Sequence, residues 1–397
     1  MTEATTTVRG ESPVTTAWLV LVGISLCHMI NDVMQSMLAA IYPLLRQEFS
    51  LSYWQIGLMT FAFQVTASLL QPVVGAITDK RPMPKSLAVG MGSTFVGVLM
   101  LAMAHEYWVL LAGAMLIGVG SAVFHPESSR VARVASGGRF GTAQSLFQMG
   151  GNFGTALGPL LAAFVVVPLG RPSIAIFSAA ALLGSAVLWR IGAWAEGRRK
   201  AGGARPVPAL DLSRSRVAMA IMVLALLTFS KNIYTASISS YYTFFLIEKF
   251  QLTTQQAQLM LFLFLGGMAG GVLLGGLIGD RIGPLKVIWF SILGILPFTL
   301  VLPYAGLAAT GVLTVVIGLI LASAFPAIVV FAQELVPGRT GLIAGIFFGF
   351  SFGMGGIAAA VLGLVADARG LAFVYKICSF LPLMGLLTVF LPRIRRV

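Results

Sequence analysis

The sequence predicts an all-α integral membrane protein with twelve transmembrane helices in two six-helix halves. Three observations predict this fold class: the composition, the spacing of apolar runs and an internal repeat. Hydrophobic residues make up 58% of the 397 residues and charged residues only 10%, with a mean hydropathy of +0.93. A soluble chain carries about 25% charged residues. A chain this apolar therefore requires lipid as its solvent.

The apolar runs are long enough to cross a bilayer. A hydrocarbon core of about 30 Å needs about 20 residues of helix. The sequence predicts spans near 17–43, 54–78, 86–104, 108–130, 141–167, 172–194, 217–247, 254–279, 286–304, 309–335, 340–366 and 371–392. These spans define a tail (1–16), an N-terminal half (17–194), a C-terminal half (217–392) and a second tail (393–397). The basic stretch 195–216, rich in Gly, Ala and Pro, is predicted to link the halves.

Positive charge predicts the orientation. An even number of spans puts both termini on one side. Twenty of the 26 Lys and Arg residues fall on that side, five on the other, and Lys231 inside a span. Cytoplasmic loops carry the excess of positive charge, so we expect both termini in the cytoplasm. The net charge of +13 is spread over short connections and forms no basic face, so we expect no nucleic-acid partner.

The second half repeats the first. A shift of about 200 positions superposes polar and small residues of the two halves, which indicates two six-helix units in the same orientation. Such a chain binds its substrate near the midplane between the halves. The matched pairs include Asn31 with Asn232, Asp79 with Asp280, Lys85 with Lys286, Pro126 with Pro326 and Gly141 with Gly341.

Three spans carry a glycine at every fourth position. Such a stripe makes a smooth helix face for close approach. Static packing would explain any one stripe, but three together favour sliding surfaces where the halves meet. The stripes are Gly150, Gly154 and Gly158; Gly267, Gly271, Gly275 and Gly279; and Gly341, Gly345, Gly349 and Gly353.

Span one carries the most informative polar residues. His28, Asp32 and Gln35 share one helix face near mid-depth, and Asn31 lies beside them. Ionisable groups at this depth are costly and usually mark a pathway. We expect Asp32 to take and give a proton, with His28 assisting, and Asn31 and Gln35 to line a cavity. A structural polar contact between helices is the alternative.

Span seven carries a lone buried cation, Lys231. The repeat places it at the depth of span one, where it cannot easily reach either surface. It would attract an anionic substrate, or it would neutralise Asp32. Tyr241 on the same span could supply a hydroxyl, with aromatic packing as the alternative.

Spans four and five add further candidates. Gln148 and Asn152 belong to a polar stripe of span five that would bind ligand oxygens or join helices by hydrogen bonds. Near the cytoplasmic end of span four, His125 and Arg130 are candidate anion-binding residues, and Glu127 is a second candidate for proton coupling. Glu127 and Arg130 can pair at i, i+3.

The loop at 276–286 resembles the signature of the major facilitator superfamily, reading Gly-x3-Asp-Arg-x-Gly-x2-Lys from Gly276 to Lys286. The first-half copy keeps Gly75, Asp79 and Lys85 but has no second glycine. This resemblance implies the twelve-helix fold of that superfamily. It also implies conformational latches between the halves at Asp79, Asp280 and Arg281.

Longer stretches resemble one branch of the superfamily, the fosmidomycin-resistance exporters of Gram-negative bacteria. They are 28–45, 123–139, 230–246 and 312–325. The resemblance implies an inner-membrane exporter of a small anionic phosphonate antibiotic, driven by proton entry through alternating access. An organic-anion and proton symporter, working as an importer, is the alternative within the superfamily.

Other classes of protein are not favoured. The chain has no phosphate-binding Gly-x4-Gly-Lys loop, no His-Glu-x2-His pattern and no paired cysteines, so we expect no enzyme, no cofactor and no metal site. A channel or sensor is disfavoured because the repeat favours alternating access and no large output domain is present.

Overall fold

The computed structural model describes residues 15–51, 53–202, 212–252 and 254–393, and within these ranges it is helical throughout, with no strand. Eleven helices of the described residues are long and apolar enough to cross a bilayer. The remaining long helix, at 140–169, makes the twelfth. The predicted twelve-helix fold is therefore confirmed.

Six helices form the N-terminal half. A short helix, Tyr42–Glu48, joins the first two. The six are α1 (Trp18–Ala40), α2 (Tyr53–Gln64, the π-helical turn Val65–Leu69 and Leu70–Lys80), α3 (Ser86–Met103), α4 (Tyr107–Ala135), α5 (Phe140–Leu161, Ala162–Val166 and Val167–Leu169) and α6 (Arg171–Ile174 and Ala175–Gly202).

Six more helices form the C-terminal half. They are α7 (Arg214–Phe250), α8 (Thr254–Ile282), α9 (Pro284–Leu293, Leu296–Val301 and Leu302–Tyr304), α10 (Leu307–Ala322 and Ala324–Leu335), α11 (Thr340–Arg369) and α12 (Leu371–Cys378 and Leu381–Phe390). Several contain Pro or Gly near their breaks, as expected where a residue cannot donate a backbone hydrogen bond or pack a side chain.

Two boundaries differ from the sequence prediction in ways that matter. Helix α6 continues to Gly202 and α7 begins at Arg214, so both ends of the stretch 195–216 are helical. Ala, Glu, Arg and Lys are good helix formers and extend α6 beyond its apolar span. Residues 1–14, 203–211 and 394–397, which hold most of the predicted tails and the middle of that stretch, lie outside the described residues.

The hydrophobic core shows how the halves are joined. One buried cluster contains residues of both halves, including Phe124 and Phe147 of the first and Phe325 and Phe348 of the second. Two other clusters each belong to one half alone, toward the opposite end of the bundle. The halves therefore share a core at the end that carries the chain termini and pack separately at the other end.

The glycine stripes divide between two roles. The stripe of α11 does face the other half: a Cβ at Gly345 would lie 2.3 Å from the Gln71 carbonyl oxygen of α2. The prediction is wrong for the other two stripes. A Cβ at Gly150 would lie 1.9 Å from the Ser25 carbonyl oxygen of α1, within the first half. One at Gly271 would lie 2.0 Å from the Leu319 carbonyl oxygen, within the second.

The close approach of α11 and α2 ends partway along the bundle. A Cβ at Gly349 would still lie 2.6 Å from the Ser68 carbonyl oxygen, whereas one at Gly353 would meet nothing within 4 Å in the part of the chain that the structure describes. The halves thus touch backbone to backbone near the termini and separate beyond Gly349.

Candidate functional site

Helix α1 brings His28 and Asp32 together, as their four-residue spacing predicts. Both side chains are buried, and His28 Nε2 lies 3.4 Å from Asp32 Oδ2. The His28 ring stacks on Phe147 of α5 with a centroid distance of 4.1 Å. The packing of α5 against α1 therefore fixes the plane of this imidazole.

His125 of α4 completes the cluster. Its Nε2 lies 3.8 Å from Asp32 Oδ1 and 3.2 Å from His28 Nε2, and its side chain is fully buried. The sequence predicts His125 near the cytoplasmic end of span four, apart from the residues of span one. We call His28, Asp32 and His125 the His–Asp–His cluster.

The length of α4 explains the different position of His125. The helix runs to Ala135, beyond the predicted end near residue 130. His125 is therefore ten residues from the end of α4, and His28 is ten residues from the start of α1. The two antiparallel helices meet at that end, where the Ala17 N–H donates to the Ala135 carbonyl at 2.8 Å. Equal counts of about 1.5 Å per residue bring both imidazoles to the same depth.

Amide groups surround the carboxylate of Asp32. The side-chain NH2 groups of Asn31 and Gln35 donate to Asp32 Oδ1 at 3.1 and 2.9 Å. Gln35 Oε1 accepts a hydrogen bond from the Ser121 hydroxyl at 3.1 Å. The two amides predicted to line a cavity are thus engaged with Asp32.

Lys231 of α7 lies on the other side of an aromatic pair. Its Nζ is 5.3 Å from the ring centroid of Phe325, in cation–π range. Phe325 contacts Phe348 at 5.1 Å, and Phe348 contacts the His125 ring at 5.0 Å. Two phenylalanines of the second half therefore separate the lysine from the His–Asp–His cluster.

Asp32 and Lys231 do not pair in this conformation. Among the described residues, no carboxylate lies within 4.0 Å of the Lys231 ammonium, whereas Asp32 contacts both histidines. The Lys231 side chain is partly exposed. The lysine is consequently available for an anion that enters between the halves.

The remaining candidates of α4 form their own ion pair. Both guanidinium contacts of Arg130 go to the Glu127 carboxylate, one of them from Nε to Oε2 at 3.0 Å, and Glu127 is fully buried. The i, i+3 pairing expected from the sequence is present. Because each group neutralises the other, neither offers an unpaired charge to a ligand or a proton here.

Three further predicted substrate residues have different surroundings. Gln148 of α5 has a buried Oε1 that accepts no hydrogen bond from the described residues. Asn152, one turn later, is partly exposed. The Tyr241 hydroxyl donates to the Ala359 carbonyl of α11 at 2.6 Å, so it is occupied within the second half.

Asp79 and Asp280 bind the N-termini of helices in the opposite half. Asp79 accepts hydrogen bonds from the Gly341 and Leu342 N–H groups of α11 at 2.9 and 2.8 Å. Asp280 accepts from the Gly141 and Thr142 N–H groups of α5 at 2.7 and 2.8 Å, and from the Thr142 hydroxyl. A carboxylate at a helix N-terminus is favoured by the helix dipole.

Arg281 does not share this geometry, since its side chain is exposed. A residue that sequence reasoning did not find joins the halves instead. Gln333 of α10 donates to the Ser129 hydroxyl at 3.0 Å and accepts from Arg133 at 3.3 Å, both on α4. Phe147, Phe325 and Phe348 were also missed, because apolar residues in an apolar chain give no signal of their own.

Comparisons of the sequence and of the structure with known proteins point to the same fold. The sequence profile of the Major Facilitator Superfamily matches residues 24–395. The chain is 57% identical to the fosmidomycin resistance protein of Escherichia coli (strain K12) over 379 residues, which cover 95% of this chain and 93% of that protein. It is 40% identical to an uncharacterised transporter of the same type from Bacillus subtilis (strain 168), covering 96% and 95% of the two chains.

Solved structures share the fold at lower identity. The fucose:proton symporter of E. coli superposes with a TM-score of 0.74 at 16% identity, covering 96% of this chain and all of that one. The human organic anion transporter MFSD10 superposes with a TM-score of 0.73 at 18% identity, with the same coverage. At these identities the likeness establishes the fold alone.

Proposed function

The chain belongs to the major facilitator superfamily, and we propose that it exports a small anionic antibiotic of the fosmidomycin type in exchange for protons. The relative that is 57% identical over 95% of the chain is named for resistance to that phosphonate. In this proposal the chain is a secondary active transporter that works by alternating access and carries out no enzymatic step.

The observation that carries the proposal is the unpaired Lys231. Its ammonium lies deep in α7, over the Phe325 ring at 5.3 Å, and meets no carboxylate within 4.0 Å among the described residues. A phosphonate supplies the negative charge that this position lacks. Unit charges about 4 Å apart attract by about 4 kcal/mol at an effective dielectric constant of 20. Gln148 and Asn152 of α5 would add amide contacts to the bound oxygens.

Protons would enter through Asp32, assisted by His28. The Asp32 carboxylate is the buried acid that contacts only neutral or titratable partners, because Glu127 is already paired with Arg130. His125 joins this site and is therefore reassigned from substrate binding to proton coupling. Phe348 and Phe325 separate the proton site from Lys231, so the two sites would communicate through movement of the second half.

Asp79 and Asp280 would act as latches in this cycle. Each holds a helix N-terminus of the opposite half at the end of the bundle that carries the termini. Release of both contacts would let the halves rock about the binding sites and open that end. The exposed Arg281 would contribute less than the two carboxylates.

We also propose that the protein resides in the bacterial inner membrane with both termini in the cytoplasm. The distribution of Lys and Arg, twenty against five, supports this orientation. With that orientation, the latches close the cytoplasmic side and the halves separate toward the outside.

Transport into proteoliposomes tests the proposal. Purified protein is reconstituted, and uptake of labelled fosmidomycin is measured under proton gradients of both signs. An antiporter accumulates the drug in vesicles that are acidic inside, and an uncoupler abolishes accumulation. Accumulation only in vesicles that are alkaline inside would instead indicate the symporter. Uptake that ignores the gradient would contradict proton coupling.

A further inference from the structure

The Nδ1 atoms of the two imidazoles of the His–Asp–His cluster face backbone carbonyl groups. His28 Nδ1 lies 2.7 Å from the Phe147 carbonyl oxygen, and His125 Nδ1 lies 2.9 Å from the Ser121 carbonyl oxygen and 3.2 Å from the Ser121 hydroxyl. A carbonyl oxygen can only accept, so both carbonyl contacts are satisfied when each Nδ1 carries the hydrogen. In neutral rings of that tautomer, both Nε2 atoms are acceptors.

Three side chains consequently direct acceptor atoms to one place. The two Nε2 atoms are 3.2 Å apart, His28 Nε2 lies 3.4 Å from Asp32 Oδ2, and His125 Nε2 lies 3.8 Å from Asp32 Oδ1. Two lone pairs and a carboxylate that face each other at these distances repel unless a positive charge lies among them. A proton bridges at most one or two of these atoms, whereas a metal ion can bind all three.

The spacing fits a tetrahedral metal ion. Zinc binds imidazole nitrogen and carboxylate oxygen at about 2.0–2.1 Å, and tetrahedral angles then place neighbouring ligand atoms about 3.3 Å apart. His28 Nε2 lies 3.2 Å from His125 Nε2 and 3.4 Å from Asp32 Oδ2, on either side of that value. The 3.8 Å distance of His125 Nε2 is to the other carboxylate oxygen, Oδ1, so binding through one oxygen needs the carboxylate to turn or His125 to shift. Metal-binding histidines usually donate their other ring N–H to a carbonyl, as both rings do here.

Helix α5 packs closely against the cluster. Gly151 faces it, and a Cβ at that position would lie 2.5 Å from His28 Nε2 and 2.8 Å from Asp32 Oδ2. A side chain at Gly151 would therefore clash with two of the three proposed ligand residues. Asn31 and Gln35 orient the Asp32 carboxylate through hydrogen bonds, which supplies the outer shell that a metal site needs.

We propose that His28, Asp32 and His125 form a binding site for a divalent transition-metal ion of the zinc class. Two imidazoles and one carboxylate suit Zn²⁺ and Co²⁺ and disfavour Mg²⁺, which prefers oxygen ligands. This revises the expectation of no metal site, which considered cysteine pairs and short sequence motifs. The site is independent of the substrate proposed at Lys231.

Direct titration of the purified, metal-stripped protein with Co²⁺ tests the proposal. One equivalent should bind and produce the visible absorption bands of four-coordinate Co²⁺, and Zn²⁺ should displace it. His28→Gln and His125→Gln should each weaken binding at least a hundredfold. His105→Gln provides the matched control, because His105 is the remaining histidine of the chain and is exposed. This variant should bind Co²⁺ as tightly as the wild-type protein does.

A second measurement covers variants that fold poorly. Zn²⁺ should raise the melting temperature of the wild-type and His105→Gln proteins, because a ligand that binds only the folded state stabilises it. Wild-type protein that gives no Co²⁺ bands and no Zn²⁺ stabilisation overturns the proposal. So does binding that survives in both His28→Gln and His125→Gln. The ion and the coupling proton would compete for Asp32, but Co²⁺ binding and Zn²⁺ stabilisation are measured without transport. Failure of the metal site is therefore distinguishable from failure of the proposed drug–proton exchange.

Discussion

Asp79 and Asp280 make the same contact on opposite sides of the interface between the halves. Each carboxylate, at the end of the second helix of its half, accepts hydrogen bonds from two successive N–H groups that begin the fifth helix of the other half. The internal repeat relates the two aspartates and also relates Gly141 to Gly341. The two contacts are therefore equivalent parts of one closure at the end that carries the termini.

Loss of either carboxylate should loosen this closure. In Asp79→Asn and Asp280→Asn, one acceptor oxygen becomes an NH2 that faces an N–H, and the charge at the helix N-terminus is lost. Charge-assisted hydrogen bonds contribute about 1.5–3 kcal/mol, so each variant should shift the population toward the open state more than tenfold. Spin labels at Met83→Cys and Ile282→Cys, one in each half, would report the longer distance.

The control for this experiment is Arg281→Gln, whose side chain is exposed. It should leave the distance distribution unchanged. Equal shifts in the two aspartate variants would support the symmetric closure. A shift in Arg281→Gln but in neither aspartate variant would assign the latch to the arginine.

Lys231→Gln should weaken binding of fosmidomycin at least tenfold. The change removes the cation over Phe325 and keeps a side chain of similar length. Ionic attraction of a few kcal/mol is lost, and 1.4 kcal/mol corresponds to a factor of ten. Calorimetry at fixed pH on purified protein measures the dissociation constant. Lys231→Arg keeps the charge and should bind more tightly than Lys231→Gln.

Tyr241→Phe serves as the matched control on the same helix. Its hydroxyl donates to the Ala359 carbonyl, so its loss should leave the dissociation constant for the drug within about threefold. Unchanged affinity in Lys231→Gln, or a large loss in Tyr241→Phe alone, would place the anion site elsewhere.

Asp32→Asn should abolish the dependence of transport on a proton gradient while drug exchange between two pools persists. The variant keeps the shape of the side chain but removes the carboxylate that contacts both histidines. Proteoliposome counterflow and gradient-driven uptake separate the two activities. Glu127→Gln is the comparison: it leaves Arg130 without its partner and should lower the melting temperature but keep coupling. Full gradient-driven uptake by Asp32→Asn would refute this assignment.

Gly150→Ala should destabilise the protein by about 1–3 kcal/mol, because overpacking forces backbone shifts. The new Cβ would lie 1.9 Å from the Ser25 carbonyl oxygen and push α5 away from α1. Gly92→Ala in α3 is the control, since a Cβ there meets nothing within 4 Å and Ala is the better helix former. Thermal unfolding in detergent should show a lower midpoint for Gly150→Ala and an equal or higher one for Gly92→Ala.

The sequence by itself determined the twelve helices, the two halves and which polar residues share one face of the first helix. Apolar runs of about 20 residues have few alternatives in a bilayer, because every backbone N–H and C=O must be satisfied within the helix. The four-residue spacing of His28 and Asp32 is likewise a local property of a helix. The repeat predicted that Asp79 and Asp280 are equivalent and lie at the same end, and the family resemblance added the expectation that both act as latches between the halves.

Only the tertiary structure decided which residues meet across helices. His125 joins His28 because α4 extends to Ala135, and a helix end in a charged, helix-forming segment cannot be located from hydropathy. Helix rotation and the choice of neighbouring helix also decide the partners of the glycine stripes, the two phenylalanines between Lys231 and His125, and the contact between the two histidines. Apolar packing, which sets both, leaves no pattern in a chain whose lipid-facing and core-facing residues are equally apolar.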